Sequence, residues 1–344
     1  MNETTARNEK NMRELLFDQR GGVRMNERPK EALQEGHVAV DVHYFGINFA
    51  DYQAYFGKYL NAPKGPFVPG YEFSGVVTES RVAGLEVGDE VWGVNSMGCY
   101  ADHLHVPGEF CFKKPEKMTL AEAGAFPVNY ATAYYILDYM GNLQRDHRLL
   151  VQSAAGGVGR AMMQMAQKRG AKVTALVGSE EKIATLKQDF PDAEVINYRQ
   201  SATIDDALGD RTFDLIADPQ GGPGSRKLYR RLHPFGKLIT FGVSSSFSQG
   251  NGLTRAIDLL RSPFFPVLSL LSRNVMVGGM NLTKVFEHPA ALQYAVSPLL
   301  DGFNNGDYSI EIYKEVPFSE EGIQEAYKAF ETREVQGKMI VRVR

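Results

Sequence analysis

The sequence predicts an α/β protein in two parts, a β-rich domain and a doubly wound sheet of six parallel strands. Three observations carry this. Short strand-like segments separated by Gly and Pro fill residues 15–104. Six further strand-like segments alternate with helical patterns over residues 148–280, as a parallel sheet covered by helices requires. A glycine-rich turn joins the first of those six strands to its helix. The length of 344 residues suits about two domains, and 43% hydrophobic with 23% charged residues is an ordinary globular balance.

The elements follow in order. The first dozen residues read as frayed. Val38, Val40, Val42 and Tyr44 alternate as on a half-buried strand, and Phe73–Thr78 and Asp89–Val94 are further strands. Thr119 and Glu122 form a capping-box pattern, followed by a second helical stretch, Val128–Met140. The six strands are Arg148–Ser153, Ala171–Val177, Glu194–Asn197, Phe213–Ala217, Lys237–Phe241 and Val275–Met280. Helical patterns lie at Arg160–Lys168, Glu180–Asp189, Ser225–Leu232 and Leu253–Leu271. Beyond residue 283 come a helix, a strand, the amphipathic helix Glu320–Glu331 and a last strand, Lys338–Val343.

Composition excludes several classes. With 38 basic and 41 acidic residues the net charge is −3, which offers no excess to neutralise a phosphate backbone, so no nucleic-acid partner is expected. Cys99 and Cys111 cannot build a disulfide framework or a cysteine-rich zinc site, which fits a reducing compartment. The polar start MNETTARNEKNMRE lacks an apolar signal region, and no apolar run approaches the length of a bilayer span. The expectation is a cytoplasmic protein.

The strongest local signal is LLVQSAAGGVGRAMMQMA. The strand Leu149–Val151 runs into Ala154-Ala155-Gly156-Gly157-Val158-Gly159 and then a helix. On the G-x-G-x-x-G pattern Ala154 takes the first glycine position, and Gly156 and Gly159 the second and third. Gly156 lets backbone N–H groups approach a pyrophosphate, Gly159 lets the helix close on its strand, and the helix start favours an anion. The reading is a Rossmann dinucleotide site. An NAD site usually ends its second strand in an acid; here that position holds Val177 or Gly178, with Ser179 and Lys182 beyond and Tyr198 and Arg199 ending the next strand. These favour NADPH over NADH, while Ser179 as a plain helix cap stays the competing reading.

Together these features resemble the medium-chain dehydrogenase/reductase superfamily, in its zinc-free quinone oxidoreductase (zeta-crystallin-like) branch. The residues that carry the likeness are Gly46-Ile47-Asn48-Phe49-Ala50-Asp51-Tyr52, Val68-Pro69-Gly70-Tyr71-Glu72-Phe73-Ser74-Gly75-Val76-Val77, Gly88-Asp89-Glu90-Val91, the turn at 154–159 and Gly337-Lys338-Met339. Pro127-Val128-Asn129-Tyr130-Ala131-Thr132-Ala133-Tyr134 and residues 252–282 look most like the subgroup of the synaptic-vesicle membrane protein. The resemblance implies a GroES-like catalytic domain over 1–127 and 283–344 and a Rossmann NADPH-binding domain over 128–282. It implies that Asn48, Asp51 and Tyr52 line the cleft and that Tyr59 lies near the nicotinamide. Thr132 would touch the cofactor, Ala155 to Gly159 the pyrophosphate, and Gly178, Ser179, Lys182 and Tyr198 the 2′-phosphate end. Phe241-Gly242-Val243 and Met280-Asn281-Leu282 would flank the nicotinamide half, and Lys338 would reach its phosphate. A homodimer paired through Val275–Met280 is also implied.

Zinc-dependent relatives carry a Cys in the first motif and Gly-His-Glu in the second, where this chain has Asn48 and Gly70-Tyr71-Glu72. The resemblance therefore implies metal-independent hydride transfer from NADPH to a quinone or an α,β-unsaturated carbonyl. Asn48 and Tyr59 are the candidate donors to the resulting oxyanion, with Tyr59 as a pocket wall and water as proton source left open. The apolar segment 252–273, with Arg255, Arg261 and Arg273 interspersed, reads as a flap over a lipophilic acceptor, a weak membrane-surface contact, or helices packed on the sheet or at a dimer interface. A hinge is expected at Gly242–Gly252. The second functional reading is an NADPH-binding protein with little activity that binds lipid or a protein partner.

Overall fold

The structure is a computed structural model, and it describes residues 11–59, 63–243 and 263–344. The expected hinge beyond Val243 and the first half of the apolar segment, up to residue 262, lie outside the described residues, as do residues 1–10. The chain divides into two compact units. One is Met1–Asn129, Thr283–Tyr294 and Ile310–Arg344; the other is Tyr130–Leu282 and Ala295–Ser309.

The first unit is built on antiparallel strands. β1 (Asn11–Phe17) and β2 (Val23–Pro29) form a hairpin, so a strand already begins at Asn11, inside the stretch expected to fray. β3 (His37–Ile47), β4 (Glu72–Ser80), β5 (Glu90–Val94), β6 (His103–Pro107) and β7 (Cys111–Lys113) join two late strands, β14 (Ile312–Pro317) and β15 (Lys338–Arg342), in one sheet. Its order is β14-β15-β3-β4-β5-β7, with β6 paired to β3. The alternation at Val38, Val40 and Val42 buries all three, with Phe45, Phe73 and Tyr100, in one core. Two short helices frame the sheet, α1 (Phe49–Tyr55) and α2 (Leu120–Ala125). Thr119 caps α2 through the Glu122 N–H at 3.2 Å, and Glu122 accepts in return from the Thr119 N–H at 2.8 Å.

The second unit is the doubly wound sheet. β8 (Arg148–Gln152), β9 (Lys172–Val177), β10 (Glu194–Asn197), β11 (Phe213–Asp218), β12 (Leu232–Thr240) and β13 (Met276–Gly279) are all parallel, in the order β10-β9-β8-β11-β12-β13. Strand order reverses after β8, so the crevice at the carboxyl ends of β8 and β11 is the position where such sheets bind ligands. α3 (Pro127–Tyr134) precedes the sheet and continues as a π-helical turn, Tyr135–Met140, so the expected single stretch has two windings. Between strands lie α4 (Gly157–Arg169), α5 (Glu180–Asp189), α6 (Ile204–Leu208), α7 (Pro223–Arg230) and α8 (Val267–Arg273). β12 begins five residues before the expected Lys237. The chain then adds α9 (Leu282–Val285), α10 (Pro289–Asn304) and, after β14, α11 (Glu320–Glu331), which Ser319 caps through the Gly322 N–H at 3.1 Å. No described helix is long and apolar enough to cross a membrane.

Candidate functional site

In the second unit the turn after β8 has the shape the glycine pattern demands. Ser153 takes a left-handed φ of 55° and sends the chain sharply out of the strand. A Cβ on Gly159 would stand 2.5 Å from Ser153 O and 2.7 Å from Ala154 Cα, so only glycine lets α4 close on the turn. Gly156 is different. A Cβ there would meet nothing nearer than Ser153 O at 3.4 Å, so the protein leaves open the side that a pyrophosphate would need. Ala155 is buried beneath the turn, and Gly157 and Val158 begin α4 with N–H groups no earlier residue of the helix can accept.

The end of β9 is equally specific. A methyl group on Gly178 would lie 3.2 Å from Arg199 Nε and 3.4 Å from Tyr198 Oη, so a guanidinium and a phenol converge there. Val177 is buried and apolar. Ser179 caps α5, accepting the Lys182 N–H at 3.4 Å. Glu180, at the start of α5, is held by Asn197 Nδ2 at 2.7 Å and Gln200 Nε2 at 2.8 Å. Those two amides occupy the carboxylate on its β10 side.

The carboxyl ends of β11 and β12 are organised by Asp218, a fully buried residue that sequence reasoning passed over. It accepts from Gln152 Nε2 at 2.9 Å, the Gln220 and Gly221 N–H groups at 2.9 and 3.1 Å, and Ser225 Oγ at 2.5 Å. The Phe241 N–H bonds Asp218 O at 3.0 Å and the Met280 N–H bonds Thr240 O at 2.9 Å, so the strand-end segments 241–243 and 280–282 are tied to the sheet. Met280 and Leu282 are buried, whereas Val243 is exposed. Thr132 is buried on α3.

In the first unit Asn48 is the centre of a buried polar cluster. Its Nδ2 donates to Glu72 Oε1 at 3.0 Å, and its Oδ1 accepts from Lys338 Nζ at 2.6 Å. Lys338 also pairs with Glu72 Oε1, and Glu72 Oε2 accepts the Val128 N–H at 2.8 Å. Glu72 is 0% and Lys338 3% exposed. Such a pair survives burial because each charge has the other and further hydrogen bonds. Gly46 makes the room: a Cβ there would overlap Glu72 Oε1 and Lys338 Cε. In this structure Lys338 is thus committed to Glu72 and Asn48 rather than held out toward a phosphate.

Asp51 closes the cluster. It accepts from the Asn48 N–H at 2.8 Å and the Gly70 N–H at 3.2 Å, which fixes the start of α1 against the loop before β4. Full burial pushes its carboxyl up to about 7, against the pull of the Asn48 N–H and Lys338, with Glu72 adding to the rise. Burial also drives the Cys99 thiol well above its usual range, so it is no nucleophile. Tyr59 packs beside the core, its ring 6.4 Å from that of Tyr71 and edge-on. Tyr52 stacks on Phe330 at 5.9 Å and meets Tyr327 edge-on, an aromatic wall shared with α11. Among the described residues no three His, Cys, Asp or Glu side chains are grouped so as to hold a metal ion.

Residues 34–116 match the family described as alcohol dehydrogenase GroES-like domain, and residues 157–293 that described as zinc-binding dehydrogenase. The synaptic vesicle membrane protein VAT-1 homologue of Rattus norvegicus is 31% identical over 93% of this chain and 80% of its own length. The human VAT-1 homologue-like crystal structure superposes with a TM-score of 0.80 at 25% identity, covering 97% of this chain and 98% of that one. The quinone oxidoreductase of Thermus thermophilus, solved alone and with NADPH, gives 0.78 at 27% identity over 96% and 100%. A GroES-like sheet domain joined to a Rossmann-like parallel sheet defines the class, a two-domain oxidoreductase. The chain belongs to the medium-chain dehydrogenase/reductase superfamily, in its quinone-oxidoreductase-like group near the VAT-1 homologues.

Proposed function

We propose that the protein is an NADPH-dependent reductase of quinones or α,β-unsaturated carbonyls that works without a metal. The observation that carries it is the carboxyl edge of the parallel sheet, where the open face of Gly156 and the Arg199–Tyr198 corner at Gly178 fit a pyrophosphate and a 2′-phosphate in turn. NADPH in complex with the Thermus thermophilus quinone oxidoreductase supports the same cofactor here. When bound, the nicotinamide supplies hydride. The protein's share is to hold the acceptor and to stabilise charge on its oxygen. Asn48, with one amide N–H beyond the one given to Glu72, is the donor suited to that task, and Tyr59 is the second. The zinc-free reading rests on donor chemistry, since Asn48 is an amide and Glu72 is already bound by Lys338 and Val128.

Steady-state NADPH oxidation against a panel of quinones and enones tests this directly. Turnover with either class supports the reading, and turnover with neither sinks it. A second reading, an NADPH-binding protein that contacts membrane lipid, is favoured by the exposed Phe264, Val267, Leu268 and Leu271 on and before α8. Co-sedimentation with anionic liposomes separates it from the first. As partner we propose a second copy of the chain, paired through β13, one of the two edge strands of the six-stranded sheet among the described residues. Light scattering at micromolar concentration tests the dimer. A cytoplasmic location is proposed with it.

A further inference from the structure

We propose that Glu72 and Lys338 are positioning residues that lock the side-chain amide of Asn48 in one orientation, so that an N–H rather than the carbonyl is the end offered to an acceptor oxygen. The inference rests on the reading of Asn48 as a donor. A primary amide fits its site in two orientations related by a half-turn, which exchange oxygen and nitrogen. The two neighbours of Asn48 each accept only one of them. Lys338 Nζ has hydrogens and no acceptor, and it stands 2.6 Å from Oδ1. The Glu72 carboxylate has lone pairs and no hydrogen, and it stands 3.0 Å from Nδ2. Turned over, the amide would set its hydrogens against an ammonium and its oxygen against a carboxylate, losing two charge-assisted bonds together.

Burial makes the choice binding. Asn48 is 8% exposed, and its two charged neighbours less, so water cannot replace a lost bond. The frame is itself fixed from behind, by the Val128 N–H on Glu72 Oε2 and by the Asn48 N–H on Asp51 Oδ2. Nδ2 carries two hydrogens. One goes to Glu72, and the other is the group left for a substrate oxygen.

Selective 15N-asparagine labelling reads the amide without turnover. Comparison with Asn48→Ala assigns the Asn48 side-chain signals. The wild type should show one amide proton displaced downfield by the carboxylate and one near its ordinary position. The double variant Glu72→Gln/Lys338→Met, which leaves no lone buried ion, should bring both to ordinary positions. Its kcat with an enone should fall about tenfold, a part of what loss of an oxyanion donor costs, while KM and NADPH affinity hold. Asn48→Ala should lose at least as much, and the triple variant no more than Asn48→Ala alone. Unchanged Asn48 signals in the double variant, or multiplying losses in the triple variant, would overturn the proposal. So would a loss of NADPH affinity with kcat intact, which would make Lys338 a cofactor ligand. If the double variant does not fold, two undisplaced amide protons in the wild type refute the proposal and one displaced proton supports it. A wild type that reduces no quinone or enone refutes the functional reading alone, because the spectrum still reports the orientation.

Discussion

Replacing Asp51 by Asn should change how the first unit responds to pH. An ordinary Asp releases its proton near pH 3.8, and in the folded chain the Asp51 carboxyl holds it to about 7. Below about pH 4 the folded and unfolded states are both protonated, and the group's contribution to stability is fully present. As pH rises from there, the unfolded chain sheds the proton while the folded one keeps it, so stability falls by about 1.4 kcal/mol per unit. The fall ends near pH 7, after a total on the order of 4 kcal/mol. The amide of the Asp51→Asn variant has nothing to ionise, and its carbonyl still accepts one of the two N–H bonds. Relative to that variant, the wild type should therefore lose stability between pH 5 and 7 and run parallel above 8. Trp92 suits the assay: it is the one tryptophan of the chain, buried in the first unit and stacked on Phe112 at 4.6 Å. Its fluorescence during guanidinium unfolding follows this unit rather than the whole molecule. Equal pH slopes for the two proteins, or a wild type that gains on the variant as pH rises, would refute the placement of Asp51 as a carboxyl buried against its charge.

Gly156→Val should abolish NADPH binding in calorimetry with little change in melting temperature, because a side chain there meets only Ser153 O at 3.4 Å. Gly159→Val should instead destabilise the second unit by about 1–3 kcal/mol, the usual toll of overpacking, since its Cβ would meet Ser153 and Ala154; normal thermal stability would show the turn to be looser than described. Val177→Asp should reverse the cofactor preference from NADPH to NADH in paired titrations, and equal affinities in the wild type would count against the Arg199–Tyr198 corner. Tyr59→Phe should cost about 10²-fold with an enone if its phenol is the general acid, and little with a quinone, whose reduced anion water can protonate. Equal, minor losses with both acceptors would reduce Tyr59 to a wall. Chelators should leave turnover unchanged.

The parallel sheet was legible because its signals are local. β8, β9 and β11 are short, mainly apolar runs closed by polar or glycine residues, and the helix Glu180–Asp189 was readable to the residue from its polar–apolar period. Glu320–Glu331 was readable for the same reason. Asn48 was legible only through the motif around it, and what holds it was not. Glu72 lies 24 positions away and Lys338 lies 290, a separation no window of periodicity spans. Asp218 was hidden differently: an acid before Pro219-Gln220-Gly221-Gly222 reads as an ordinary turn residue, and only burial shows it gathering four donors. The π-helical winding of Tyr135–Met140 has no sequence mark, since its apolar positions serve either helix.

The missing side chain of Gly46 has a consequence for how the molecule is made. The space it leaves is filled by the stem of Lys338, which arrives on β15 only when that strand pairs Met339 with Ile47 on β3. During synthesis Asn48 and Glu72 emerge long before that lysine, with all of Tyr130–Leu282 to be translated in between. Until then the nascent first unit carries a carboxylate without its counter-ion and a sheet without its β3 neighbour. The second unit, continuous from 130 to 282 apart from the short return Ala295–Ser309, can settle earlier. Completion of this buried cluster thus waits for β15, although two of its three members are encoded early.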